Sequence, residues 1–232
     1  MSAELLINVT PSESRVALIE NGILQEIHVE RHTKRGLVGN IYRGKVSRVL
    51  PGMQAAFVDI GLEKAAFLHA SDIVIHNEIA EEVSASYIQK QDIRELVRDG
   101  QDIVVQVVKD PIGTKGARLT TDITIPSRYL VFMPSVTHVG VSQRIEEEAE
   151  RERLKSLVQE FCDENGGFIL RTAAEGVGKN ELQSDAAFLR RLWDKIQSRM
   201  KKRKSNVLYE DLPLARRVLR DFVGTELDRI RI

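Results

Sequence analysis

The feature that most constrains the fold is a series of short strand-like segments, separated by turn residues, between residues 36 and 121. Polar and apolar residues alternate from residue 39 to 46, as they do in a half-buried strand. Turn residues such as Pro51-Gly52 and Gly61 separate this segment from the next ones, and the predicted strands that follow span residues 54–59, 65–69, 102–109 and 116–121. Between the third and the fourth strand, residues 73–99 lack a strong period and predict a long loop with a short helix. Five strands with such an insertion predict a small Greek-key barrel, the OB-fold.

Three short strands are predicted before the barrel, over residues 5–9, 15–20 and 23–30. Asn21-Gly22 suits the tight turn of a hairpin between the second and the third strand. A meander of three such short strands cannot close a hydrophobic core by itself. We therefore expect it to pack on a segment that comes later in the chain.

After the barrel the chain alternates between strands and helices. A strand is predicted over residues 125–133, and Ser142 is positioned to cap a helix that runs from Arg144 to about Asn165. A short strand at 168–172, a glycine-bearing loop at 173–179 and a second amphipathic helix at 182–204 follow. A strand at 207–209 and a helix that begins after Pro213 complete an α+β chain.

The overall charge of the chain gives no indication of a nucleic-acid partner, because 34 basic residues balance 34 acidic ones. Basic residues do cluster, at 31–48 and at 199–204, but charge alone favours ordinary solvated surfaces over a phosphate-binding face. No apolar run approaches the roughly 20 residues that span a bilayer, and the first residues do not resemble a signal peptide. Cys162 is the only cysteine, which excludes an internal disulfide and a cysteine-rich zinc site. A cytoplasmic location is therefore expected.

Two aromatic residues, Phe57 and Phe67, fall on neighbouring strands of the predicted barrel. Exposed rings in that position would form a platform on which unpaired bases stack, whereas rings that point inward would only fill the barrel. The residues alone leave both readings open. Lys109 and Lys115 flank the turn at 110–114, where they would neutralise backbone phosphates if a strand of nucleic acid crossed the barrel. Two loop lysines without such a partner would simply be solvated.

Several long segments resemble the ribonuclease E/G family, in the order in which that family carries them. They cover nearly the whole chain, so the resemblance is far more specific than a short motif. The matching segments are LLIN at 5–8, GNIYRG at 39–44, QAAFVDIG at 54–61, KGARLTT at 115–121, YLVFMP at 129–134, ILRTA at 169–173 and FVGTELDR at 222–229.

The resemblance implies a domain organisation that the residue pattern does not. Residues 1–35 would be the first part of a ribonuclease-H-like subdomain, 36–121 the OB-fold barrel, 122–212 a 5′-sensor subdomain, and 213–232 the start of a return to the ribonuclease-H-like subdomain. It also implies that Phe57, Phe67, Lys109 and Lys115 contact single-stranded RNA. Arg171 and Thr172 would hold the 5′-monophosphate of the RNA, with Val131 and Arg144 nearby. Two positions depart from the family pattern: Ser127 replaces an expected glycine and Gln143 an arginine.

The implied activity is that of a single-strand-specific endoribonuclease acting in ribosomal RNA maturation and messenger RNA decay. In the family, catalytic magnesium is held by aspartates, and protomers are joined through zinc-binding cysteines, both later than residue 232. The chain is therefore expected to be a front portion without catalytic or metal-binding residues of its own and without activity. Its expected partners are single-stranded RNA with a 5′-monophosphate and, in the longer protein, a second copy or more. Two alternatives remain: a non-enzymatic OB-fold RNA-binding protein, and a helical region that serves chiefly as an oligomer interface.

Overall fold

A computed structural model describes residues 2–74, 92–163, 166–202, 205–222 and 227–232. The strands described in these ranges are β1 (Ala3–Val9), β2 (Glu13–Glu20), β3 (Ile23–Arg31), β4 (Ile41–Leu50), β5 (Ala55–Asp59), β6 (Ala66–His69), β7 (Asp102–Lys109), β8 (Arg118–Thr120), β9 (Ile125–Pro126), β10 (Leu130–Met133), β11 (Val139–Val141), β12 (Gly167–Leu170), β13 (Val207–Tyr209) and β14 (Arg229–Arg231). The α-helices are α1 (Ile93–Leu96), α2 (Glu148–Gln159), α3 (Lys179–Lys202) and α4 (Leu214–Phe222). The mixture of helix and sheet confirms the predicted α+β class. Residues 75–91 of the predicted long loop lie outside the described ranges.

The first sheet has the strand order β14-β1-β2-β3. Its three N-terminal strands form the predicted antiparallel meander, and β14 adds to it in parallel with β1. Helix α4 covers one face, where Leu214 and Val218 pack against the buried residues Leu5, Ile7, Val16 and Leu18. The prediction that a later segment completes the core of the meander is therefore confirmed. On β3 the side chains of Ile23, Leu24, Ile27 and Val29 are each more than half exposed.

The second sheet closes into the predicted five-stranded barrel. The strands follow the order β4-β5-β6-β8-β7, and β7 pairs back onto β4. Small and branched side chains fill the interior, among them Val46, Ala56, Val58, Ala66, Leu68, Val105, Val107 and Leu119. Strand β4 pairs with β7 through residues 41–45 and with β5 through residues 45–50, and a register shift between Val46 and Arg48 bends the strand around the barrel.

The third sheet, β11-β12-β10-β9, packs against helices α2 and α3. Phe132 and Phe168 are fully buried at its centre, with ring centroids 5.3 Å apart. Strand β13 lies between the modules: it pairs with the start of β4, and Leu208 joins the core of the third sheet. Main-chain hydrogen bonds therefore connect the barrel to the segment that follows it.

Two predicted elements in this region were wrong in their bounds, and one strand was not predicted. The predicted strand 125–133 is two strands, because residues 127–129 form a turn in which the Ser127 N–H donates to the Leu130 carbonyl. The helix predicted to begin at Arg144 begins at Glu148, because the Arg151 guanidinium binds the carbonyls of Ser142 and Ile145 and holds that segment in a turn. Strand β11, just before this turn, was not predicted at all. The first long helix, predicted to run to about Asn165, ends at Gln159, whereas the predicted end of the second, at 203–204, lies outside the described residues.

The described helices include none that is both long enough and apolar enough to cross a membrane.

Candidate functional site

Phe57 and Phe67 lie directly opposite each other on the antiparallel strands β5 and β6. Their neighbours Ala56, Val58, Ala66 and Leu68 are buried in the barrel, so the alternation of side chains turns both rings to the outer face. Both rings are half-buried, and their centroids are 6.3 Å apart with the planes inclined at 69°. The reading in which these two rings fill the barrel interior is thus excluded by their positions.

His69 extends this aromatic surface along β6. Being two residues after Phe67, it lies on the same face of the strand, with ring centroids 6.4 Å apart and planes inclined at 38°. Its Nδ1 accepts a hydrogen bond from the Ser71 N–H at 3.2 Å, which fixes the orientation of the ring. His69 was not among the residues predicted to bind RNA, although the period of two along β6 was sufficient to place it beside Phe67.

A cleft of about 740 Å³ opens beside the two phenylalanines. Its walls include the rings of Phe57 and Phe67 and the side chains of Lys109 and Lys115, so the structure brings together the four predicted RNA-contacting residues. The remaining lining residues are Met53, Lys64, Ala65, Asp110, Ile112, Thr114, Gly116 and Arg118.

The lysines are held at the rim of the cleft by a short hairpin. Ile112 and Lys115 exchange two main-chain hydrogen bonds of 3.1 and 2.9 Å around Gly113, which adopts a positive φ of 56°. Gly116 then passes directly against β6, where a Cβ atom would overlap the carbonyl oxygen of Ala65. This close approach is possible only for glycine, and it fixes the hairpin beside the aromatic pair.

The cleft combines an apolar floor with free positive charge at its rim. Lys109 and Lys115 are exposed, and neither ammonium group makes an ion pair with another residue of the described ranges. Arg118, in contrast, forms a two-pronged ion pair with Asp72, with N–O distances of 2.9 and 3.1 Å. Asp110 accepts a hydrogen bond from the Leu37 N–H at 2.6 Å. Flat rings flanked by unpaired ammonium groups are suited to the bases and phosphates of an unpaired strand.

Arg171 lies at the end of β12, and its guanidinium is already hydrogen-bonded. Its Nη1 donates to the Ser127 carbonyl at 2.5 Å and approaches the Arg128 carbonyl at 3.4 Å. Its Nη2 forms an ion pair with Asp221 on α4, at 2.8 Å. A phosphate at this guanidinium would therefore compete with a carboxylate of the protein.

The other residues predicted for a phosphate pocket lie around the ends of β10, β11 and β12. The Thr172 hydroxyl is exposed and lies 3.3 Å from the Ser142 hydroxyl, which in turn accepts the N–H of Arg144 at 3.3 Å. Arg144 itself is exposed, and Val131 is half-buried opposite Ile169. Thr172 and Arg144 are thus brought together through Ser142, whereas the hydrogen bonds of the Arg171 guanidinium go to the 127–128 turn and to α4.

The 127–130 turn that holds Arg171 is itself held by Asp185 of α3. One oxygen of this carboxylate accepts hydrogen bonds from the Ser127 hydroxyl at 2.5 Å and from the N–H groups of Tyr129 and Leu130, both at 3.0 Å. Ser127, which replaces the expected glycine, is buried and contributes one of these three bonds. Gln143, the second departure from the family pattern, is exposed.

Asp221 is the most informative residue that sequence reasoning missed. Burial alone would raise its pKa, but hydrogen bonds from Arg220 and Arg171 outweigh that effect and hold the pKa below its usual value. The carboxylate is therefore ionised at neutral pH. No sequence signal pointed to it, since the helix that carries it belongs to the first sheet and its partner Arg171 to the third.

Among the described residues, no group of three or more histidine, cysteine, aspartate or glutamate side chains is arranged to hold a metal ion.

Comparison with known proteins agrees with this geometry. Residues 37–119, which form the barrel, match the S1 RNA binding domain, and residues 124–232 match the Ribonuclease E/G family. The whole chain is 69% identical to ribonuclease G of Escherichia coli strain K12 and 63% identical to ribonuclease G of Haemophilus influenzae. It covers 48% and 47% of those two proteins, so it spans about half the length of the curated relatives it matches. Ribonuclease E of Buchnera aphidicola is 34% identical over 98% of the chain, which covers 24% of that protein. The chain therefore belongs to the ribonuclease E/G family.

Proposed function

We propose that this chain is the RNA-gripping and 5′-end-sensing portion of a single-strand-specific endoribonuclease. The observation that carries the proposal is the cleft in which Phe57, Phe67, Lys109 and Lys115 converge on the outside of an S1 barrel. Unpaired bases would stack on the rings while the ammonium groups neutralise the phosphates between them. Base stacking and charge neutralisation both tolerate any base sequence, which suits an enzyme that acts on many single-stranded segments.

The proposal assigns the recognition of the RNA end to the region after the barrel. Arg171 would grip the 5′-monophosphate through its planar fork, and the exposed Thr172 hydroxyl would add a donor. Val131 and Arg144 would border the same pocket. A 5′-hydroxyl end offers no charge to this guanidinium, so the pocket would prefer processed, monophosphorylated ends.

The domain organisation remains part of the proposal. Residues 1–35 and the segment from 213 onwards would contribute to a ribonuclease-H-like subdomain, 36–121 would form the RNA-binding barrel, and 122–212 the 5′ sensor. The S1 match at 37–119 and the separate cores of the three sheets support this division.

Hydrolysis itself is assigned to the longer protein. Its relatives are ribonucleases by name, which favours an enzyme over a purely RNA-binding protein. Catalytic magnesium and a zinc ion that links protomers would be held elsewhere in the longer protein, as the family resemblance implies. We also propose that the longer protein acts in the cytoplasm on ribosomal and messenger RNA, as a dimer or larger assembly.

The test compares one RNA decamer with a 5′-monophosphate or a 5′-hydroxyl group. We expect the 232-residue chain to bind the phosphorylated form roughly tenfold more tightly, about 1.4 kcal/mol, since a charge-assisted hydrogen bond contributes about that much or more. Arg171→Ala should abolish the preference, Arg171→Lys should keep part of it, and Arg191→Ala, which removes the same charge from the exposed surface of α3, should not change it.

Two results would contradict the proposal. A preference that survives Arg171→Ala, or no preference at all, would favour the alternative in which the helical region is chiefly an oligomer interface.

With magnesium added, the chain should leave both decamers intact, whereas a protein extended to the length of its relatives should cleave single-stranded RNA internally and leave a 5′-phosphate on the downstream product. Cleavage by the 232-residue chain that persists after contaminating nucleases are removed would refute the assignment of catalysis to the longer protein.

A further inference from the structure

Asp221 is shared between two guanidinium groups that come from different parts of the chain. Arg171, after β12, reaches one carboxylate oxygen at 2.8 Å. Arg220, the neighbour of Asp221 on α4, binds both oxygens, with Nε at 3.1 Å and Nη2 at 3.0 Å. The carboxylate therefore has one partner on its own helix and one on the third sheet.

Both guanidinium groups would stay in place if Asp221 left Arg171. Arg171 keeps its hydrogen bond to the Ser127 carbonyl, in the turn that Asp185 fixes. Arg220 is the better buried of the two, with 13% of its side chain exposed, and it also approaches the carboxylate of Asp211 at 3.7 Å. Breaking the contact between Asp221 and Arg171 would thus leave the carboxylate paired with Arg220 rather than buried alone, which keeps the cost of the exchange low.

From this geometry we infer that Asp221 is an internal competitor for the phosphate-binding guanidinium of Arg171. It occupies Arg171 until a 5′-phosphate displaces it, an inference that rests on the proposed role of Arg171 in end sensing. A phosphate monoester carries a charge of about −1.5 to −2 at pH 7 and three acceptor oxygens, against the single charge of a carboxylate. A terminal phosphate can win this competition, and a terminal hydroxyl cannot. Asp221 therefore lowers the affinity for phosphorylated ends and keeps Arg171 paired when no terminal phosphate is present.

The exchange also connects the RNA end to the first sheet. Asp221 lies in the last turn of α4, the helix that buries Leu214 and Val218 against that sheet. When a phosphate takes Arg171, α4 loses its ion pair to the end of β12. Because the phosphate and Asp221 compete for one guanidinium, a change that weakens the contact between Asp221 and Arg171 must tighten phosphate binding, by at most the same factor.

The variant that tests the inference is Asp221→Asn, which keeps the shape of the side chain and removes its charge. We expect the phosphorylated decamer to bind about fivefold more tightly than to the unmodified chain, equivalent to about 1 kcal/mol at 1.4 kcal/mol per tenfold change. Binding of the 5′-hydroxyl decamer should not change. Glu20→Gln is the matched control, because it removes the same charge from the exposed end of β2 and should change neither affinity.

A second measurement needs no variant. In the unmodified chain, the phosphorylated decamer should increase amide hydrogen exchange at residues 218–222, and the 5′-hydroxyl decamer should not. Equal or weaker binding of the phosphorylated decamer by Asp221→Asn would overturn the inference, and so would hydrogen exchange at 218–222 that does not respond to the phosphate. In either case the proposed function would stand if the preference for the phosphorylated end still depended on Arg171. If the unmodified chain showed no preference for the phosphorylated end, both would fail together.

Discussion

Replacement of Phe67 by alanine tests the assignment of the aromatic cleft most directly. Stacking of one base on an aromatic ring contributes about 1–3 kcal/mol. The ring of Phe67 is half-buried and meets Phe57 in an edge-to-face arrangement, so only part of its surface is open to a base. We therefore take the lower half of that range, about 1.5 kcal/mol, which weakens binding roughly tenfold at 1.4 kcal/mol per tenfold change. Because the two rings contact each other, Phe57→Ala combined with Phe67→Ala should cost less than the sum of the single changes.

Fluorescence anisotropy with a 5′-hydroxyl decamer is the appropriate assay, since it leaves the terminal phosphate out of the measurement. Phe188→Ala is the matched control: this ring on α3 is 51% exposed and lies outside the aromatic cleft. Circular dichroism should show that all variants are folded, because a half-buried ring costs less than the 3–5 kcal/mol that is typical of a core phenylalanine. If Phe67→Ala binds within twofold of the unmodified chain while folded, the rings are not a stacking platform and the reasoning fails.

Two further predictions concern stability. Gly116→Ala should lower the free energy of unfolding by several kcal/mol, because its Cβ would overlap the Ala65 carbonyl; Gly52→Ala, with no atom within 4 Å of the new Cβ, should stay within about 0.5 kcal/mol in the same urea titration. Equal effects of the two changes would contradict the packing of the 110–116 hairpin on β6. The hydrogen bonds from Arg153 lower the pKa of Glu150 from 4.5 to about 2, so its contribution to stability is complete above pH 4.5 and is lost as the pH falls toward 2. Between pH 4.5 and 2, the free energy of unfolding of Glu150→Gln should therefore fall less than that of the unmodified chain. Glu148→Gln is the control: the carboxylate that it replaces is 78% exposed, so its free energy of unfolding should change with pH as that of the unmodified chain does.

The barrel was predictable because its first and fourth predicted strands, 39–46 and 102–109, alternate polar and apolar residues, and turn residues separate the segments. The direction of the two phenylalanines was not, since small apolar residues stand on both sides of each ring in the sequence and only closure of the barrel decides which face is inside. The start of α2 was misplaced for a related reason. Serine is a preferred helix N-cap residue, but the Ser142 N–H donates to the Leu170 carbonyl, and this tertiary contact outweighs the local preference for a helix start.

The charged network around Arg171 could not have been predicted from a local pattern. Asp185 binds the 127–130 turn and Asp221 binds Arg171, each from a different helix, and Ser127 and Asp185 are 58 residues apart in the sequence. The family resemblance identified Arg171 without identifying its partner. Only the packing of α4 near the end of β12 shows that a carboxylate already occupies the guanidinium.

The position of β13 has a practical consequence for dissecting this protein. Tyr42 of β4 is paired with Val105 on one side and with Val207 on the other, and the Arg43 N–H donates to the Asn206 carbonyl at 2.7 Å. An excised S1 module that ended near residue 121 would lose β13. The start of β4 would then present an unpaired strand edge, and such edges promote aggregation with other chains. A soluble, monomeric fragment of this protein should therefore extend beyond Tyr209, so that β4 and its neighbour β13 stay on one polypeptide.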